Sequence, residues 1–248
     1  MLKVDKPVKE QTEKIKDKER VVMVEHILEN NEVVLIGKVV SDIKFSHKVY
    51  GEGFYTFEIE VPRLSSSADI LPVTISERIL PSIGNIQGKV LEVLGQFRSY
   101  NQYEEGKNRL ILTVFILEAK EVGEQELAKN KNYVYLNGYV CKEAIYRTTP
   151  FGREITDILM AVNRSYHKSD YIPCITWGRN ARFAQNLAVG EHIQVWGRIQ
   201  SRTYQKKLET GEIATKVAYE VSISKMEAID SSGEQLHSIK DLTEGKDE

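Results

Sequence analysis

The sequence predicts an all-β chain of two tandem five-stranded Greek-key barrels, each with a short helix between its third and fourth strands, behind a short charged N-terminal arm. Three observations carry this: an internal repeat, strand-like runs of period two in each copy, and one helix-like run at the matching place. The 248 residues allow one large domain or two small ones. The repeat decides for two. Asn31 to Gly37 (NEVVLIG) matches Asn132 to Gly138 (NYVYLNG), Gly51 matches Gly152, Arg63 matches Arg164, and Ile70-Leu-Pro72 matches Tyr171-Ile-Pro173, all at an offset of 101. The offset is 102 for Gly88 to Gly95 against Gly190 to Gly197, and a few more inserted residues align Tyr100 with Tyr204 and Gly106 with Gly211. The expected division is an arm at 1–30, module one at 31–122, a linker at 123–131, module two at 132–230 and an acidic, disordered tail at 231–248.

In module two, residues 134–141 read as a strand with a glycine at the middle, where a strand bends or bulges. Residues 154–163 form a second run. Residues 171–177 form a third, with Ile172, Cys174 and Thr176 on one face and Tyr171, Pro173, Ile175 and Trp177 on the other. Residues 180–187 then carry Ala181, Ala184 and Leu187 at helical spacing and end near Gly190. Residues 192–200 and 217–224 complete five strands. A kinked first strand and a helix after the third suit a small closed barrel of the OB type, since closure removes sheet edges. An open sandwich is the alternative. The arm, with seven basic and seven acidic residues, fits a short helix or a solvated segment.

The formal net charge of −2 makes the whole chain neither a basic nucleic-acid coat nor an acidic one, so any binding charge must be local. It is: module one carries ten basic against twelve acidic residues, the tail two against five, and module two thirteen against ten. Seven of those thirteen are arginines, which pair phosphate bidentately and stack on planar rings. Module two also holds twelve of the chain's 21 aromatics. If Ile172 and Cys174 face the core, Tyr171 and Trp177 stand outside in water. Exposed rings beside Arg179 and Arg182 suit unpaired nucleic acid, whose bases stack on rings at roughly 1 to 3 kcal/mol per contact while phosphates take the arginines. Burial of the rings and solvation of the charges is the bland alternative.

Module two resembles the bacterial single-stranded DNA-binding protein family. The resemblance rests on Leu136-Asn-Gly138, Ala161-Val-Asn-Arg-Ser-Tyr166, Trp177-Gly-Arg-Asn-Ala181 and Val195-Trp-Gly-Arg-Ile-Gln-Ser-Arg-Thr-Tyr204 followed by Gly211, in order and with similar spacing. It implies an OB barrel without enzymatic activity that coats single strands, independently of their sequence, in replication, recombination and repair. It places the family's four stacking rings on Tyr166, Tyr171, Trp177 and Tyr204. The expected phosphate contacts are Arg147, Arg153, Lys168, Arg179, Arg182, Arg198, Arg202 and Lys206. The family usually assembles four barrels, which two chains of this kind supply as a homodimer in the cytoplasm, on the nucleoid. Single-stranded DNA is the expected partner, RNA a lesser one, with replication and repair proteins behind it.

Module one departs from this pattern. Its four ring positions hold Ser65, Ile70, Ser76 and Tyr100, and Glu52 stands where module two has Arg153. Arg78, Arg98 and Tyr100 remain as weaker contacts, with Arg98 aligned to Arg202. Phe45, Tyr50, Phe54 and Tyr55 cluster in its first hairpin and either stack bases or pack into the core. The expectation is scaffold first. The last six residues, TEGKDE, lack the aromatic tip through which the family docks other enzymes, leaving an acidic tail to compete with DNA for module two.

No catalytic constellation is legible. The five histidines form no H-x-x-x-H pair, no metal motif or cofactor signature appears, and P-loop, G-x-G-x-x-G and G-x-S-x-G patterns are missing. His167 with Asp170 is the nearest approach to an acid–base pair, in a polar hairpin loop that supplies such neighbours freely. Cys141 and Cys174 read as buried, inert thiols. The longest apolar run, residues 110–117, is far short of the roughly 18 residues that cross a bilayer, and the first 20 residues contain no secretory h-region. The alternative function is an OB-fold adaptor in a primosome or recombination complex, acting mainly through protein contacts.

Overall fold

The computed structural model describes residues 29–104, 106–165, 167–207, 211–229 and 235–237. Residues 1–28 of the expected arm lie outside them, as does most of the tail. The all-β expectation holds. Module one comprises β1 (Asn31–Val39), β2 (Lys44–Val49), β3 (Glu52–Pro62), β4 (Ala68–Ser76), a helix at Leu80–Ile83, β5 (Val90–Glu104) and β6 (Lys107–Val122). After a 3-10 turn at Glu124–Lys129 the order repeats as β7 (Asn132–Val140), β8 (Ile145–Thr148), β9 (Glu154–Arg164), β10 (Lys168–Trp177), a helix at Arg179–Ala184, β11 (His192–Lys207) and β12 (Ile213–Ile229). Within the stretch expected to be disordered, β13 (Gln235–His237) pairs with β12, so at least these three residues gain ladder hydrogen bonds.

Each barrel closes through five strands. In module one β1 pairs with both β5 and β3, β3 with β4, β6 with β5, and β4 runs parallel to β6 at Val73 and Val114. Module two repeats the circuit through β7, β9, β10, β12 and β11. The glycine in the first strand makes closure possible: a Cβ on Gly138 would lie 2.4 Å from the Ala161 carbonyl oxygen, and one on Gly37 2.9 Å from that of Glu60. Those are the places where the strand leaves one neighbour for the other. The cores are aliphatic, with Leu35, Ile59, Leu71 and Val93 in one and Leu136, Met160, Ile172 and Val195 in the other at 0% exposure.

Strands β2 and β8 were not delimited as strands in the sequence, β2 being met only as part of a first hairpin, because every residue in them is exposed and no apolar alternation marks them. The same holds for the outer part of β11, where the residues from Arg202 to Lys207 are all exposed. The second helix ends earlier than expected, at Ala184 rather than Leu187, and buries Ala181 and Ala184.

The two barrels join edge to edge. β1 and β7 pair antiparallel from Asn31↔Leu136 to Leu35↔Asn132, so one sheet runs through both modules. A pseudo-twofold relates the contacts on either side. Asp170 accepts the Ser99 backbone N–H at 2.7 Å, and Asp69 accepts that of Ser201 at 2.7 Å. Asn31 exchanges two hydrogen bonds with the Phe97 backbone, and Asn132 does the same with Ile199. These matches align Phe97 with Ile199 and Ser99 with Ser201, which corrects the pairing of Arg98 with Arg202: the partner of Arg98 is Gln200. The added residues lie further out along the hairpin.

Asp69 is the more heavily committed carboxylate, at 0% exposure. It also takes Arg63 through two nitrogens at 2.5 and 2.8 Å, the Ser201 hydroxyl at 3.2 Å and Arg198 at 3.3 Å. The hydrogen bond to Asp69 raises the Arg63 pKa. Removing a buried carboxylate leaves these donors unmatched, at about 3 kcal/mol. Urea denaturation of Asp69→Ala is therefore expected to show a loss of that order, and a smaller one for Asp170→Ala, whose ion-pair partner Arg164 is 3.6 Å away.

Candidate nucleic-acid interface

The alternation of β10 settles the orientation of two rings. Ile172 is 0% and Cys174 2% exposed, whereas Tyr171 is 44% and Trp177 39% exposed. The two rings stand six residues apart along the strand, roughly 20 Å at 3.3 Å per residue. Tyr204, on β11, is 37% exposed, and the Arg202 guanidinium lies 5.7 Å from its ring centroid. Tyr166, the fourth predicted ring, lies outside the described residues.

The predicted cations divide into two groups. Arg153, Lys168, Arg179 and Lys206 are exposed. Arg147 pairs with Asp157 at 2.9 Å, Arg182 with Glu154 at 3.0 Å and Arg202 with Glu220 at 3.6 Å. The arginine side chains of these pairs are about half exposed or more, and surface pairs of this kind are worth only about 0 to 1 kcal/mol, so a phosphate can compete for them. Arg198 departs from expectation. Its guanidinium turns into the junction between the modules, bonding Asp69 of module one and Gln200. Burial there, with Arg63 nearby, lowers its pKa.

Module one offers no matching stacking row. Ser65 is exposed, Ile70 half-buried, and Ser76 buried with its hydroxyl donating to Glu52. Tyr100 remains 46% exposed, and Arg78 pairs with Glu52 at 2.9 Å. Arg98 does not continue the groove. Its guanidinium sits 3.7 Å over the Phe115 ring and donates twice to Gln96. Burial, with Arg164 nearby, pushes its pKa down to about 10, against the pull of Asp170, so it stays charged at neutral pH. Burial also raises the Asp170 pKa, partly offset by the Ser99 N–H and the two arginines. The first hairpin splits: Phe45 and Tyr50 are exposed, while Tyr55 packs against the core. Phe54 stacks on His47 at 5.1 Å and tilts against Phe115 at 5.8 Å.

Between the modules lies a cleft of about 820 Å³, lined by Phe54, Phe115, Arg98 and His47 from one and by Arg164 and Lys168 from the other. Sequence reasoning missed His47 and Phe115 as site candidates. The swapped order of Gln96-Phe-Arg98 and Arg198-Ile-Gln200 was the signal available.

Among the described residues, no three His, Cys, Asp or Glu side chains gather as a metal site, and no helix is long and apolar enough to cross a membrane. Cys174 is buried, and burial pushes its thiol well up; Cys141, expected to be buried, is half-exposed, and the weaker apolar cover at the end of β7 raises its thiol less.

Residues 131–229 match the single-strand binding protein family. The single-stranded DNA-binding protein of Clostridium tetani is 35% identical over 112 residues, covering 42% of this chain and 77% of that protein. The chain belongs to the single-strand binding protein family. A second member, single-stranded DNA-binding protein A of Bacillus subtilis, is 33% identical over 96 residues, 36% of this chain and 56% of that one. The wild-type single-stranded DNA binding protein from Thermus aquaticus shares the fold over 84% of this chain and 96% of its own, at a TM-score of 0.64 and 16% identity. The family match falls on module two, while the shared fold extends through module one.

Proposed function

We propose that this chain binds and protects single-stranded DNA without regard to sequence, through bases stacked on Tyr171, Trp177 and Tyr204 and phosphates held by Arg147, Arg153, Lys168, Arg179, Arg182, Arg202 and Lys206, with Tyr166 as a fourth ring. The observation that carries the reading is three large rings kept in water, one of them beside a guanidinium group, on the module that matches the family. Unpaired bases offer the flat faces that cover such rings, while duplex bases are already stacked. The protein performs no chemistry. Its place is on strands exposed during replication, recombination and repair inside the cell.

Two chains pair to present four barrels. Support comes from the sheet that runs through both modules, whose outer face carries Leu94, Val34 and Tyr133 as cross-strand neighbours. Tyr135 and Trp196 meet on the same face at 5.3 Å, with the Lys225 ammonium 4.2 Å from the Trp196 ring. An apolar row rimmed by charge is suited to a second copy.

Three outcomes test this. Trp177→Ala and Tyr204→Ala each weaken oligo(dT) binding by about 1 to 3 kcal/mol with the fold intact, and Trp177 emission is quenched on titration; unchanged affinity would contradict the stacking role, and an adaptor acting only through proteins would show no salt-dependent quenching. Arg179→Ala flattens the slope of log affinity against log salt by about one phosphate's share. Trp196→Glu halves the particle mass in solution, whereas an unchanged mass moves the dimer contact elsewhere.

A further inference from the structure

The cleft between the modules has a chemistry that the stacking face on module two does not use. One wall is a run of flat groups from module one: His47 stacked on Phe54 at 15° between planes, Phe54 against Phe115, and the Arg98 guanidinium over Phe115. The facing wall, from module two, brings Arg164 and Lys168. The volume of about 820 Å³ falls in the range of sites that take small organic groups. Asp170 and Glu29 also line it, so its formal charges, three positive and two negative, leave an excess of one. That balance suits a single phosphodiester rather than a highly charged nucleotide.

We propose that this cleft is a second site for the bound strand, where one unpaired base extends the His47–Phe54 stack while its phosphate is held by Lys168 and Arg164, carrying the strand from module two onto module one. The proposal rests on the single-strand reading above and adds a crossing point to it. The repeat itself argues that the site is particular to this half. Where module one has His47, Phe54 and Phe115, module two has Arg147, Ile155 and Ser222, with no ring among them. The glutamine and arginine also exchange places across the pseudo-twofold. Gln96 leaves the cleft side open, with Arg98 drawn back over Phe115. On the opposite side Arg198 stands where Gln96 would, and its guanidinium spans the junction to Asp69.

Continuity with the stacking face supports the same route. Lys168 begins the strand that carries Tyr171 and Trp177. Asp170, on the cleft wall, receives the Ser99 N–H. The exposed Tyr171 and Tyr100 each follow one member of that contact in sequence, so each module carries an open ring one residue from the junction.

The test compares two lengths of oligo(dT) on the full chain, about 10 and about 30 nucleotides, since one such barrel covers roughly 4 to 16. The variant His47→Ala with Phe54→Leu is expected to bind the short strand as the parent does and to lose at least fivefold on the long one. Trp177→Ala serves as the reference and is expected to lose affinity for both. No loss on the long strand by the cleft variant, or the same loss on both lengths, with Trp177→Ala still impaired, overturns the crossing point alone; an unimpaired Trp177→Ala overturns the single-strand reading beneath it. Should the cleft variant fail to fold, photo-cross-linking of the parent protein to 5-iodouracil oligonucleotides decides instead: adducts on His47 or Phe54 support the site, and adducts confined to module two refute it.

Discussion

Two buried carboxylates set the geometry of this molecule. Asp69 and Asp170 each reach out of their own barrel to accept a backbone N–H from the other. Between them the β1–β7 ladder joins the modules without a break in the sheet. A desolvated carboxylate is costly unless its oxygens are fully matched, and here part of the match comes from the neighbouring module, Ser201 and Arg198 for Asp69 and Ser99 for Asp170. Any sliding of one barrel along the other would cost the carboxylates these donors. The exposed rings of module two and the hairpins of module one are therefore held in one fixed relation.

That junction explains why arginines alike in sequence do different work. Arg179 faces water and Arg202 lies beside an exposed ring, while Arg198 and Arg98 are spent on the seam, one against a carboxylate and the other over a phenylalanine. Arg198 and Arg202 share one side of β11. What separates them is place along the strand relative to the seam, Arg198 lying beside the Asn132 hydrogen bonds and Arg202 on the exposed outer hairpin.

Much of this was legible in the residues. The repeat gave two barrels, and the alternation of Ile172 and Cys174 against Tyr171 and Trp177 placed the rings outside. The glycine within each first strand marked the bend that closes the barrel. Other features left no trace because nothing in them is half-buried. Strands β2 and β8 and the far end of β11 are solvated on both faces, so apolar period two is missing where the strand persists. The seam residues escaped for a different reason. Asp69, Arg63 and Arg198 are polar, and a polar residue buried by a second module looks like a surface residue until the modules are docked. The alignment of Arg98 with Arg202 failed on the same ground, since the inserted residues sit out on the hairpin and only the cross-module bonds fix where the gap belongs.

The exchange of arginine and glutamine across the junction has one more result. A pair of barrels with true twofold symmetry offers the same reception to a polymer arriving from either direction. Here one approach meets an open, ring-walled notch and the other a latched guanidinium. Nucleic acid is itself directional, with unlike ends. A partner that also has a front and a back can favour one threading over its reverse, giving a protein indifferent to base order a means of sensing 5′ from 3′.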